Sequence, residues 1–120
     1  MSQPNGAICH VELFARDLEE SAKFYGNMFG WKTTPSSAGY MAWSDPAGMS
    51  GGFTTAGAPL TNSAATIYIK VANISRELKR IRKAGGVIIL EKRTIPDGDW
   101  GCYALFRDPA GNNVGLWSAK

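Results

Sequence analysis

Cys9 and Cys102 are the only two cysteines the chain holds. They are too few and too far apart for a disulfide framework, and neither stands at a metal-ligand spacing. The expectation is a pair of unpaired, mostly packed thiols. No apolar run approaches the length of a membrane-spanning helix, which argues against a membrane partner. The opening "MSQPNGA" lacks the basic-then-apolar order of a secretory leader, so a cytoplasmic placement is expected. Charge is sparse as well. Charged residues make up 19% of the chain against 44% hydrophobic, an ordinary globular balance that excludes disorder. A chain of 120 residues is long enough for one domain with a real core.

The net charge of +3 is unevenly spread. Residues 1–63 carry three bases and five acids (−2), whereas 64–120 carry ten bases and five acids (+5). Much of the excess lies in "SRELKRIRK", Ser75 to Lys83. Its other positions are apolar at helical spacing, so the bases read as a solvated helix face rather than a nucleic-acid contact.

What the chain has in quantity is repetition. "WSDPAGMS" begins at Trp43 and "FRDPAGNN" at Phe106, with one Asp-Pro-Ala-Gly core written 63 positions apart. At a shift of 56, "HVELFARDLEESAKF" from His10 falls on "TIYIKVANISRELKR" from Thr66. Each segment alternates as a strand and then changes to helical spacing near Leu18 and Ile74. Asp17 with Glu20 reads as a capping box, and Asn73 or Ser75 caps the second helix. Gly30 over Gly86 supplies the helix stops. The shift then grows to 63, because the second copy holds seven extra residues around "RTIPDGDWG". Each copy reads strand, helix, strand, strand, strand. The doubled Asp-Pro-Ala-Gly is the turn between its last two strands, with proline fixing φ and glycine accepting a positive φ. One domain over 1–120 is expected, with repeat one about 7–53, a linker about 54–63 and repeat two about 64–117.

Alternation sorts the strand faces. Cys9, Val11 and Leu13 oppose His10, Glu12 and Phe14; Ile67, Ile69 and Val71 oppose Thr66, Tyr68 and Lys70. Val114 and Leu116 oppose Asn113, Gly115 and Trp117, and Phe53 opposes Ser50, Gly52 and Thr54. The aliphatic faces need cover, which Leu18, Ala22 and Phe29 of one helix and Leu78, Ile81 and Ala84 of the other supply. The remaining face is polar, aromatic or glycine, the composition of a ligand cavity; exposure to solvent or to a second subunit is the plainer alternative.

The strings "HVELFARDLEESAKFYGNMFGW", "GGF", "KVANI" and "FRDPAGNNVGLW" together resemble the vicinal oxygen chelate superfamily, which contains glyoxalase I, bleomycin-resistance proteins and extradiol dioxygenases. "FYGNMFGW" and the closing "DPAGNNVGLW" look most like a glyoxalase-like subgroup without an assigned reaction. The resemblance implies an α+β fold of two βαβββ repeats, curved mixed sheets with helices outside, a cavity formed by one sheet from each repeat, and a homodimer. It also implies a metal ligand at four inward positions, here His10, Gly52, Thr66 and Gly115. Of these only His10 brings a ligand's chemistry, since glycine has no side chain and threonine is a poor donor. No metal and no other cofactor is therefore expected, which weighs against a metal-dependent glyoxalase-like lyase.

His10 and Glu12 lie two apart on one strand, so they share a face and can divide acid and base roles in a metal-free proton transfer beside a carbonyl. Mutual satisfaction against the sheet is the alternative. Phe14, Tyr68 and Trp117 would stack on a flat or apolar ligand, with Gly52, Thr66, Asn113 and Gly115 beside it and Lys70 as a further polar contact. Those residues also suit an antibiotic-sequestering protein, although a chain of net charge +3 would not steer a cationic drug such as bleomycin inward. The extra "IPDGDWG", with Trp100 at its tip, reads as a lip over the cavity or as an exposed hairpin.

Overall fold

The first strand gives way to a helix where Asp17 can satisfy the helix's free amides. In the computed structural model, which describes residues 4–5, 8–56 and 66–120, β1 (Val11–Phe14) is followed by α1 (Leu18–Phe29). Asp17 Oδ1 accepts from the Glu20 backbone N–H at 3.2 Å, while Glu19 and Glu20 face the positive end of the helix dipole. The Glu20 carboxylate is engaged by the Arg16 guanidinium at 2.8 and 2.9 Å. Gly30 ends the helix at φ 73°, a left-handed conformation that costs a residue without Cβ little. Then come β2 (Lys32–Ser37), β3 (Tyr40–Ser44) and β4 (Ser50–Thr54).

The second copy runs β5 (Tyr68–Lys70), α2 (Ile74–Lys83), β6 (Val87–Thr94), β7 (Cys102–Arg107) and β8 (Asn113–Ser118). Of the two cap candidates it is Asn73 that acts, its Oδ1 accepting from Arg76 N–H at 3.0 Å. The left-handed residue after α2 is Gly85, at φ 96°, and not Gly86. A Cβ on Gly86 would instead meet Ile81, so that glycine serves close packing.

Two four-stranded mixed sheets result, ordered β1-β4-β3-β2 and β5-β8-β7-β6. The outer pairs β1–β4 and β5–β8 are parallel and the rest antiparallel. This is the α+β class with curved sheets. The chain divides into two compact units, Met1–Ala58 and Pro59–Lys120. Of the linker expected at 54–63, Thr54 closes β4, and 57–63 lie outside the described residues.

In the first unit α1 packs on β2, β3 and β4 through Ser21, Phe24, Tyr25 and Met28. Leu18, Ala22 and Phe29, expected to line this face, are only half-buried. The stripe is centred instead on the aromatic side chains, which remove more apolar area from water. Trp31 stacks on Trp43 at 4.1 Å between ring centroids and on Tyr25 at 4.5 Å, with Phe53 beneath. The second unit is aliphatic apart from Phe106: Ile74, Leu78 and Ile81 cover Ala104, Phe106, Val114 and Leu116. Ala84 is exposed because the helix has already ended. Cys102 is buried as expected, whereas Cys9, ahead of β1, is exposed.

The doubled turn owes its shape to its aspartate as much as to proline and glycine. Asp45 Oδ1 accepts from the N–H of Ala47 and Met49 at 3.0 and 2.8 Å. Asp108 Oδ1 does the same for Ala110 and Asn112, and its Oδ2 also accepts from Asn112 Nδ2 at 2.9 Å. Asp108 is buried and Asp45 half-buried. In urea denaturation, Asp108→Ala is expected to cost about 2–3 kcal/mol and Asp45→Ala about 1 kcal/mol, because only the first orphans buried donors.

Candidate functional site

On the sheet face of the first unit away from α1, Glu12 is the register partner of Gly52, and Phe14, Thr54 and Tyr40 form the next row. Strand geometry alone would leave Tyr40 one row along and two strands across from Glu12, with β4 between them. Gly52 closes that gap. A Cβ built on Gly52 would fall on the hydroxyl and ring of Tyr40, so the tyrosine leans across β4 where a side chain is missing.

The Tyr40 hydroxyl thereby stands 2.7 Å from His10 Nε2 and 3.2 Å from Glu12 Oε2. A phenol has one proton to give. Tyr40 donates it to the Glu12 carboxylate, so His10 Nε2 must carry the proton that Tyr40 accepts. His10 Nε2 and Glu12 Oε2 are 3.6 Å apart and meet through the phenol. The His10 and Tyr40 rings are near parallel, 11° apart. The side chains of His10 and Glu12 are 47% and 54% exposed, so both ends of the chain are open to an incoming molecule. Withdrawal from solvent, then the hydrogen bond to Glu12 and the charge of that carboxylate, hold the Tyr40 phenol above the ordinary tyrosine value. Tyr40 is therefore a hydrogen-bond donor at neutral pH and not a base.

The corresponding face of the second unit carries an open cleft of about 590 Å³, lined by Tyr68, Ile95, Pro96, Tyr103 and Trp117. Gly115 repeats the device of Gly52: a Cβ there would meet the ring of Tyr68, its register partner on β5. Trp117 donates its indole N–H to the Trp100 carbonyl at 2.9 Å, which pins the ring beneath the segment after β6. Ile95 and Pro96 of that segment line the cleft. Trp100, expected at the tip of either a lip or an exposed hairpin, is 62% exposed and turns its own Nε1 back to the Asp97 carbonyl.

Among the expected site residues, His10, Glu12 and Gly52 thus meet around Tyr40, with Phe14 half-buried in the adjoining row. Tyr68 and Trp117 meet in the cleft, with Gly115 under Tyr68. Asn113 is set apart, accepting from Arg107 Nε at 3.1 Å, and Thr66 lies exposed ahead of β5. Tyr40 and Tyr103 were missed. Their signal is the 63-residue shift, which superposes one on the other, together with the mid-strand glycine that makes room for a neighbouring ring.

The four ligand positions that the superfamily resemblance implies do not suit a metal. His10 and Gly52 belong to the first unit, Thr66 and Gly115 to the second, so neither contributes two side-chain donors. The space a ligand would need at either glycine holds a tyrosine ring. Among the described residues no group of three or more His, Cys, Asp or Glu could hold an ion.

A family model for the Glyoxalase/Bleomycin resistance protein/Dioxygenase superfamily matches residues 7–116, and the chain belongs to that superfamily. A glyoxylase-like domain-containing protein of Didymella fabae is 29% identical over 125 aligned positions, covering 90% of each chain. The crystal structure of FosX, the genomically encoded fosfomycin resistance protein of Listeria monocytogenes, complexed with Mn(II) and sulfate, matches with a TM-score of 0.78 at 18% identity. It covers 96% of this chain and 91% of that one. A glyoxalase/bleomycin resistance protein/dioxygenase family enzyme from Burkholderia phytofirmans PsJN matches with a TM-score of 0.72 at 16% identity, covering 93% and 98%. Likeness at these identities is likeness of fold. Membership of the superfamily supports a small-molecule binding or catalytic role. No helix among the described residues is long and apolar enough to cross a membrane.

Two measurements check this geometry. Alkaline absorbance titration, read as the difference from Tyr40→Phe, should show the Tyr40 phenol ionising later than free tyrosine. In Glu12→Gln it should ionise earlier than in the wild type, yet still late, because withdrawal from solvent remains. Equilibrium dialysis against manganese(II) should give no stoichiometric binding that depends on His10.

Proposed function

We propose that the chain binds a small organic molecule on its helix-free sheet faces and that His10, Tyr40 and Glu12 move a proton on a carbonyl compound without a metal. The observation that carries this reading is the hydrogen-bonded chain from His10 through Tyr40 to Glu12, exposed at both ends. A carboxylate and an imidazole held in place by one phenol are pre-oriented, which is what general acid–base catalysis asks of its groups. Glu12 takes a proton from the carbon next to the carbonyl, and the C–H electron pair passes into the enolate. The imidazolium of His10, its Nε2–H held by Tyr40, donates its Nδ1–H to the developing oxyanion. The proton then returns from Glu12 to the same carbon, so the step exchanges that hydrogen with no net change of oxidation state.

A second reading is sequestration without chemistry, favoured by the aromatic lining of the Tyr68–Tyr103–Trp117 cleft. The structural likeness to a fosfomycin resistance protein is compatible with it. A metal-dependent lyase is the reading the four ligand positions do not support. A homodimer and a cytoplasmic setting belong to the same proposal; sedimentation at high concentration checks the first.

The deciding experiment follows exchange of the carbon-bound α-protons of phenylpyruvate in deuterium oxide by NMR. The wild type should accelerate exchange, and a chelator should leave the rate unchanged. Glu12→Gln should lose at least about 100-fold, the scale of a removed general base, and Tyr40→Phe should lose less. Gly52→Ala should resemble Tyr40→Phe, because its methyl group displaces the ring. An unchanged rate in Glu12→Gln would remove the catalytic part and leave sequestration.

A further inference from the structure

We infer that the cleft of the second unit selects a planar organic anion, an arene carboxylate or its like. The inference rests on the binding reading above and names the ligand class of that cleft.

Register is the first ground. Lys70 pairs with Trp117, Trp117 with Tyr103, and Tyr103 with Arg93, so one row crosses all four strands of the sheet. Register partners project from the same face of a sheet. Two aromatic residues that line the cleft are therefore flanked at either end by a cation, on the edge strands β5 and β6. The spacing between strands is about 4.8 Å, so a cation stands one strand away from each ring.

Availability is the second. Among the described residues Arg80 is paired with Glu77 and Arg82 with Glu91, but neither Lys70 nor Arg93 has an ion-pair partner. Asp108 is engaged in its turn. Asp97 and Asp99 sit exposed on the segment between β6 and β7, and no carboxylate among the described residues lines the cleft. The two cations are thus left to whatever enters.

The third ground is the repeat itself, which supplies an internal comparison. In the first unit the equivalent row is Phe14, Thr54, Tyr40 and Ser37, with no charge in it. The fold does not require cations at these positions. The tyrosine is common to both rows; Lys70, Trp117 and Arg93 belong to the second alone. Flat walls from Tyr68, Tyr103 and Trp117 fit an arene, and the fixed indole N–H of Trp117 is already spent on Trp100, which leaves charge to Lys70 and Arg93.

Calorimetric titration of the full chain with three probes of one shape tests this: 2-naphthoate, 2-naphthalenemethanol and 2-naphthylmethylammonium. The anion should bind at least about tenfold more tightly than the alcohol, and the ammonium more weakly than either, with the anion's advantage shrinking in high salt. In Lys70→Gln/Arg93→Gln, both exposed positions, the anion's Kd should rise about tenfold while the alcohol's stays put. Tyr103→Ala should weaken all three. Equal binding of anion and alcohol, or an unmoved anion Kd in the double variant, would overturn the anion assignment and leave small-molecule binding standing. Binding of none of the three, or binding untouched by Tyr103→Ala, would remove the cleft itself as the binding place.

Discussion

A side chain missing from the middle of β4 lets the phenol of Tyr40 stand between His10 and Glu12. Sheet geometry separates Glu12 on β1 from Tyr40 on β3 by the width of β4, and a long side chain closes that distance only where nothing lies in its path. Gly52 clears the path. His10 and Glu12 are thereby coupled through one hydroxyl instead of facing solvent as two unrelated polar groups. The same substitution of space for side chain recurs at Gly115, where the ring of Tyr68 lies over β8. Both glycines occupy positions where the superfamily resemblance implies a cation ligand, so the space for a metal's donors has become the space for tyrosines.

The two copies spend an identical frame differently. Glu12 in one copy is Tyr68 in the other, Phe14 is Lys70, and Thr54 is Trp117, while Tyr40 and Tyr103 keep their identity. The first unit has gathered an imidazole, a phenol and a carboxylate; the second has gathered flat rings flanked by cations. Their cores diverge as well, with stacked tryptophans under the first sheet and mainly aliphatic side chains, with Phe106, under the second. Packing tolerates that exchange because hydrophobic volume, and not its chemical kind, is what the helix–sheet interface asks for.

Much of this was legible in the residues. The doubled Asp-Pro-Ala-Gly, the two strand-to-helix transitions and the caps at Asp17 and Asn73 are local signals, each set by the hydrogen bonds of a few neighbouring residues. Face assignment followed from alternation alone and placed His10 with Glu12, and Tyr68 with Lys70. Helix faces were harder. The stripe of α1 turned out to centre on Tyr25 and Met28 because the ring of Trp31, just past the helix, stacks on Tyr25 and on Trp43 of β3. Trp100 read as the tip of either a lip or an exposed hairpin, and its largely exposed indole folds back onto its own turn.

Sequence by itself determined the repeat, the order of its elements, the turn chemistry and the shortage of metal donors, because each depends on residue type and spacing along one strand or helix. Only the tertiary structure decided that Tyr40 reaches His10 and Glu12, that Tyr103 joins Trp117, and that Lys70 and Arg93 end the same row. Those facts belong to register between strands. Register is fixed by hydrogen bonds between segments far apart in the chain, and a one-residue slip would turn every one of these side chains to the other face.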